Sequence, residues 1–336
     1  MSVLLTGAAG FIGYHVAEAL LARGETVLGV DNLTPYYDPA LKQARLDRLL
    51  RHERFRFERL DLADQAGVLR VADDNPGIDR IVHLAAQAGV RHSMVDPHAY
   101  VSSNVMGHLC VLELARRMGQ ELRHLVYASS SSVYGGNESL PFSEADRVDR
   151  PLSLYAATKR ADELMSHAYA HLYGVRQTGL RFFTVYGPWG RPDMAYYSFA
   201  EAILAGREIT VYDDGMVRRD FTYVDDIVHG VVGALDHPPS HLADGGPPVR
   251  VLNIGNNRSE PISAVIALLE RGLGHKAVIR YTARPVADVA DTCANVDQIA
   301  DLTGFAPSTP LAVGMPKFIA WFRAWKGINT LPDASA

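Results

Sequence analysis

Thr6-Gly7-Ala8-Ala9-Gly10-Phe11-Ile12-Gly13 is the stretch on which the fold turns. It follows the short apolar run Val3-Leu4-Leu5 and opens a stretch of helical period from Phe11 to Arg23. Glycines at this spacing permit a tight turn. They also let backbone N–H groups approach a pyrophosphate at the start of a helix. A bare glycine triplet is weak evidence, because it fits any glycine-rich turn. The surroundings strengthen it: a second strand, Thr26 to Val30, leads into Asp31, 18 residues beyond Gly13. Asp31 can accept hydrogen bonds from both hydroxyls of an adenosine ribose and would repel a 2′-phosphate, which favours NAD over NADP.

Outward from this turn, short β-rich runs alternate with longer helical ones, the pattern of a parallel sheet built from βαβ units. Further strands are expected over Phe55 to Arg59, Arg80 to Leu84, Leu125 to Ala128 and Gln177 to Phe182. Helices are expected over Ala63 to Asp73, Val101 to Arg117 and Tyr155 to Tyr173. The fold class is therefore α/β, a Rossmann-type doubly wound parallel sheet over residues 1–183. Asp61-Leu62 and Leu84-Ala85-Ala86-Gln87 fall at carboxyl ends of strands, where open sheets of this kind bind ligands.

Past residue 183 the alternation gives way to Tyr186-Gly187-Pro188-Trp189-Gly190, the expected start of a smaller α/β substrate lobe over 184–219 and 237–327. Asp220 to Leu235 has a helical pattern and is expected to return to the first lobe. His237 to Val249, rich in Pro and Gly, reads as a surface loop, and Ile328 to Ala336 as a mobile tail.

A chain of 336 residues is longer than one core usually organises, and 48% hydrophobic with 21% charged residues is ordinary for a soluble globular protein. The net charge of −5 and the scatter of Lys and Arg give no nucleic-acid surface. Cys110 and Cys293 form neither a redox pair nor a zinc spacing, which suits a reducing, cytoplasmic setting. Val3 to Leu5 has no basic leader and reads as a strand, and no apolar run approaches a membrane span.

The chemistry is carried by Tyr155 and Lys159, at i and i+4 on one predicted helix face. An ammonium held nearby favours the phenolate, so Tyr155 becomes a base able to take a proton from a hydroxyl. The lysine can also reach the nicotinamide ribose. A hydroxyl from Ser129-Ser130-Ser131-Ser132, just past the fifth strand, would orient the same oxygen. Each element alone is ordinary: a Tyr/Lys pair is usually an exposed helix face, and serines after a strand are usually turn chemistry. Behind a dinucleotide cradle, in this order, the catalytic reading prevails.

At this point the sequence resembles the extended short-chain dehydrogenase/reductase family, and within it the bacterial UDP-glucuronate 4-epimerases, from Val3 to about Trp325. The resemblance rests on Thr6 to Gly13, His83 to Arg91, Ser129 to Gly135, Ser153 to Lys159, Leu180 to Met194 and Arg218 to Tyr223. It implies NAD as cofactor, held by Gly7, Gly10, Phe11, Ile12, Gly13, Asp31, Asn32, Asp61, Leu62, Leu84 to Gln87, Asn104 and Phe182 with Tyr155 and Lys159. It implies Ser130 and Ser132 as hydroxyls beside Tyr155. Arg91, Ser131, Thr184, Arg191, Arg219 and Asp288 would contact the substrate, with Arg219 on the pyrophosphate of a UDP-sugar and Asp288 near the uridine. The family usually reads Asp-Val-Pro-Ala-Thr-Tyr-Ala-Asp where this chain has Asp288-Val289-Ala290-Asp291-Thr292-Cys293-Ala294-Asn295, a departure confined to the uridine side.

Three chemistries share this scaffold, each beginning with oxidation at C4 to a 4-keto sugar. Dehydratases of the family carry Asp-Glu where this chain has Ser131-Ser132, and decarboxylases typically carry Glu at Ser132. Serine cannot replace a carboxyl group as acid or base near neutral pH. Epimerisation of UDP-glucuronate is thus the expected reaction; a UDP-glucose/UDP-galactose epimerase, a UDP-glucuronate decarboxylase and a keto-sugar reductase are the alternatives. The 4-keto intermediate of glucuronate is a β-keto acid that loses CO₂ when its C5–C6 bond aligns with the carbonyl. Arg191, in Gly190-Arg191-Pro192-Asp193, is a candidate to fork onto the carboxylate and prevent that alignment; the alternative reading is a plain loop arginine. Among thirteen histidines, His167 and His171 share a helix face without the glutamate of a zinc motif, so no metal is expected. The family pairs this helix and that of Val101 to Arg117 with their copies in a homodimer.

Overall fold

The computed structural model describes residues 2–240, 245–285 and 289–328. Six strands come first: β1 (Ser2–Thr6), β2 (Thr26–Asp31), β3 (Phe55–Arg59), β4 (Ile78–His83), β5 (His124–Ser130) and β6 (Gln177–Phe182). They are followed by β7 (Thr184–Tyr186), β8 (Glu208–Tyr212), β9 (Arg218–Tyr223), β10 (Val249–Ile254), β11 (Ser259–Pro261) and β12 (Val278–Thr282). Between them run α1 (Phe11–Ala22), α2 (Pro39–Leu49), α3 (Gln65–Asp74), α4 (Pro97–Tyr100), α5 (Gly107–Met118) and α6 (Leu154–Tyr173). The later helices are α7 (Ala195–Leu204), α8 (Val224–Asp236), α9 (Ile262–Leu273), α10 (Asp297–Thr303) and α11 (Leu311–Trp325).

The main sheet is parallel throughout, in the order β10-β6-β5-β4-β1-β2-β3. Strand order reverses between β1 and β4, the place where a doubly wound sheet opens a crevice for ligand. Side chains alternate along β1: Val3 and Leu5 enter the core that includes Val16 and Leu20 of α1 and Ile227 and Val231 of α8. Leu4 enters the opposite layer with Ile81, Val111 and Leu114. Burial on both faces explains why these strands read as continuous apolar runs. There are two small sheets, β11-β9-β7 and β12-β8, and residues of β7, β8 and β9 line the same cleft as the ends of β2 and β5. Helix starts follow their capping residues: Asp38, Asp64 and Ser153 accept from Ala40, Gly67 and Ala156 N–H groups.

Several sequence expectations need correction. Residues Asp220 to Tyr223 are strand, because the buried Asp220 carboxylate accepts from Thr222 Oγ1 and the N–H groups of Asn256 and Ala294, tying this segment to neighbouring chain. The helix starts only at Val224, with Asp225 and Asp226 in its favourable first turn, and packs on α1. Val249–Ile254, placed by sequence in the substrate lobe, is the seventh strand of the main sheet. The helix expected from Val101 starts earlier: α4 leads through a π-helical turn, Val101–Met106, into α5. Helix α2 had no counterpart in the sequence reading. Of the expected tail, Ile328 alone is described, and Asp288 lies outside the described residues.

One buried histidine gives the fold an acid-sensitive joint. His124, at the start of β5, contacts the Leu235 carbonyl through Nδ1 at 3.0 Å and Thr178 Oγ1 through Nε2 at 2.9 Å. Burial pushes it down to about 4, outweighing the Leu235 hydrogen bond. A depressed histidine stabilises the fold above its unfolded value of about 6.5 and loses that contribution as pH falls towards 4. The loss amounts to about 3 kcal/mol over that window, from ~1.4 kcal/mol per pH unit. Denaturant unfolding from pH 7.5 to 4.5 should show a stability decline flatter in His124→Gln by that order; parallel curves would contradict it.

Candidate active site

The cleft at the β1/β4 switch point has a volume of about 860 Å³ and extends from the glycine turn to the small sheets. Gly7 lies at φ +72°, and a β-carbon there would sit 2.7 Å from the Ala85 nitrogen. One on Gly13 would sit 2.0 Å from the Gly7 carbonyl oxygen. The turn is therefore drawn against both β4 and α1, as close as backbone can come. No side chain caps the N-terminus of α1, so its first N–H groups remain turned to the crevice. A pyrophosphate fits this cradle.

On the adenosine side, Asp31 is buried at the end of β2. Its carboxylate accepts from Ala9 N at 3.2 Å, Leu33 N at 2.8 Å and Lys42 Nζ at 3.4 Å. Asn32 Nδ2 donates to Asp61 Oδ2 at 3.1 Å, which closes this end of the wall. Phe11, Ile12, Gly10, Leu62, Leu84 to Gln87 and Phe182 also line the cleft. Asn104 does not. It is buried behind the wall, where its amide bonds the Gln87 backbone in both directions (2.8 and 3.0 Å) and Thr158 Oγ1 (3.0 Å). Its place in the π-helical turn makes it a brace for the Gln87 loop, itself part of the cleft wall.

Tyr155 sits in the first turn of α6, edge-on to Tyr100 with ring centroids 6.1 Å apart, and faces the same cleft. Lys159, one turn on, is buried. Its ammonium donates to the Ala128 carbonyl (3.0 Å) and to Asp162 Oδ2 (3.1 Å), two of three available directions. Burial pushes the Asp162 carboxyl up to about 6, with Lys159 opposing that rise. Of the four serines, Ser129 turns inward and donates to Glu163 Oε1 at 2.6 Å. Ser130, Ser131 and Ser132 line the cleft, and the Ser130 hydroxyl accepts from Ser132 N at 3.2 Å.

The substrate end gathers Thr184 from β7, Arg91, Arg219 from β9 and Arg191. Arg91 lies over the Tyr212 ring, 5.1 Å from its centroid. Arg219 donates to the carbonyls of Arg218 and Ala290. The segment departing from the family pattern is packed here: Thr292 Oγ1 accepts from Asp220 N at 3.1 Å, and Phe142 bridges to Ala294.

Arg191 already has an acidic partner within the protein. Its Nε and terminal nitrogen hold Asp193 at 3.0 and 2.7 Å, and Tyr36 donates to the same carboxylate at 3.3 Å. Burial favours a neutral Asp193, but the guanidinium outweighs it and keeps the acid below its usual range. Asp193, Tyr36, Lys42 and Asp162 were missed by sequence reasoning. For Lys42 a signal existed: Asp38-Pro39 is an N-cap followed by proline in the first turn, with Leu41, Arg45 and Leu49 on one stripe.

The sequence pattern of the NAD dependent epimerase/dehydratase family matches residues 3–255. UDP-glucuronate 4-epimerase 6 of Arabidopsis thaliana is 48% identical over 338 residues, 98% of this chain and 73% of the plant protein. A probable UDP-glucuronate 4-epimerase of Rhizobium meliloti (strain 1021) is 44% identical over 334 residues, 96% of this chain and 97% of its own length. The crystal structure of UDP-glucuronic acid 4-epimerase from Bacillus cereus, in complex with UDP-glucuronic acid and NAD, matches with a TM-score of 0.87 at 32% identity. That match covers 97% of this chain and 100% of the other. With the glycine cradle, the acid at the end of β2 and the tyrosine and lysine of α6 around one cleft, the chain belongs to the NAD dependent epimerase/dehydratase family.

Proposed function

We propose that this chain interconverts UDP-glucuronate and UDP-galacturonate by inverting C4 through a transient 4-keto sugar. The observation that carries the reading is the convergence of Tyr155, Lys159 and Ser130 on the cleft that also contains the Gly7 to Gly13 cradle and Asp31. Bound NAD supplies the hydride acceptor and donor.

Within that cleft Tyr155 Oη takes the proton of the C4 hydroxyl and later returns it. Lys159 stands one turn on from Tyr155, and the Ala128 carbonyl and Asp162 fix where its ammonium sits. Ser130 and Ser132 present hydroxyls to the same side of the sugar. They can orient the ring but cannot move protons at C5 or C6, so dehydration is closed to the keto sugar, and CO₂ loss is the one diversion left beside rotation and reduction. Arg191 restrains the carboxylate out of the plane that leads to CO₂ loss, sharing its fork between that group and Asp193. Arg219 and Arg91 serve the diphosphate end.

The working unit is a homodimer. Leu164, Leu172 and Tyr173 of α6 and Val101 and Met106 before α5 are exposed apolar residues on two neighbouring helices. No helix among the described residues is long and apolar enough to cross a membrane, and both cysteines are free, in keeping with a cytoplasmic enzyme.

Purified protein given UDP-glucuronate without added cofactor should form UDP-galacturonate; a requirement for stoichiometric reduced cofactor would favour the reductase. Tyr155→Phe should lower kcat by about 10²–10⁴ while sugar-nucleotide affinity is kept, and full activity would end the proposal. In Arg191→Ala, chromatography of the products should reveal a decarboxylated UDP-pentose absent from the parent. An unchanged product ratio would return Arg191 to a loop role. Leu164→Arg with Leu172→Arg should shift sedimentation from dimer to monomer.

A further inference from the structure

Helix α2 sends one side chain where a surface helix rarely does. Arg45 is fully buried. One terminal nitrogen donates to the Ala9 carbonyl of the glycine turn and to Tyr37 Oη, both at 2.9 Å. The other donates to the carbonyls of Trp189 and Gly190, at 2.5 and 3.2 Å. A single planar guanidinium thus joins the loop that cradles the dinucleotide to the two residues immediately before Arg191. From α1, His15 Nε2 holds the same second loop at the Pro188 carbonyl, 2.9 Å away. Trp189 is kept at φ +61°, a region a tryptophan adopts only when its surroundings impose it. Its ring packs against Tyr14 of α1, the Arg48 guanidinium of α2 and Trp321 and Trp325 of α11.

The two loops belong to different jobs, one to the cofactor and one to the sugar, and nothing in either job requires them to be bonded to each other. We infer that Arg45, assisted by His15, is a positioning clamp that sets the aim of Arg191 at the sugar carboxylate from the geometry of the dinucleotide loop. Arg45 lies behind the wall of the cleft and acts through backbone carbonyls. Lysine cannot reproduce the function, because its ammonium lacks the two divergent arms that span the loops. Losing the clamp lets the strained Trp189 turn relax and the Arg191 fork drift, and a displacement of about 1 Å is enough to degrade positioning.

This inference rests on the reading of Arg191 given above. Binding is the cleanest measurement, made in the Tyr155→Phe background so that no turnover intervenes. Titration calorimetry on the NAD-loaded protein with UDP-glucuronate and UDP-glucose gives the preference for the acid sugar. Arg45→Lys should reduce that preference about tenfold, with little change for UDP-glucose. In combination with Arg191→Ala it should add nothing further, since both changes disable one contact. His15→Gln should act in the same direction and more weakly; it covers the case in which Arg45→Lys does not fold. On the active protein, Arg45→Lys should release a decarboxylated product as Arg191→Ala does. Unchanged preference in a folded Arg45→Lys and in His15→Gln, or full additivity with Arg191→Ala, overturns the clamp. Absence of any preference in the parent, or none lost in Arg191→Ala alone, would instead count against the carboxylate role of Arg191.

Discussion

The structure depends on how closely the chain at Gly7 meets the chain at Leu84 and Ala85. A β-carbon at Gly7 would overlap the backbone of Ala85, so β1 and β4 can lie side by side only with glycine at this turn. That contact sits where the strand order reverses, and it fixes the floor of the crevice. From this floor the start of α1 points its N–H groups at one end of the cleft, and the end of β5 brings Ser130 towards Tyr155 at the other. The chemistry is an outcome of backbone approach before it is an outcome of side chains.

Behind the reacting end lies a second constraint, a buried polar layer. Glu163 accepts from Ser129, Arg160 and both arms of Arg181, and Arg181 also donates to Tyr134. His83 and His108 stack with centroids 5.3 Å apart, and burial keeps both largely neutral, His83 down to about 3. Such groups are costly to bury unless every donor meets an acceptor. Here they hold the strand end and α6 in one relation, so that Lys159 and Tyr155 arrive with their geometry already set.

Much of this was legible in the sequence because period and motif are local properties. The six leading strands and the helix bearing Tyr155 follow from alternation and turn chemistry, and the cleft residues near the glycine turn follow from their place at strand ends. What stayed hidden depends on distant partners. Arg45 looks like one more charge on a cationic helix, and its partners Ala9, Tyr37, Trp189 and Gly190 lie far from it in pattern or in sequence. Asp220 to Tyr223 carries a pattern compatible with a helix, yet the N–H groups of Asn256 and Ala294 recruit Asp220 into a strand. Asn104 braces Gln87 from behind the cleft wall, and nothing in its neighbours along the chain says so.

The pairing of Arg191 with Asp193 has a thermodynamic consequence. In the carboxylate role proposed for Arg191, an incoming acid would not meet a bare cation; it would compete with the Asp193 carboxylate already in place. The gain on binding an acid sugar over a neutral one is then the difference between two similar ion pairs, smaller than the strength of either. On that proposal a neutral hexose would leave no uncompensated buried charge behind it, because Asp193 stays paired.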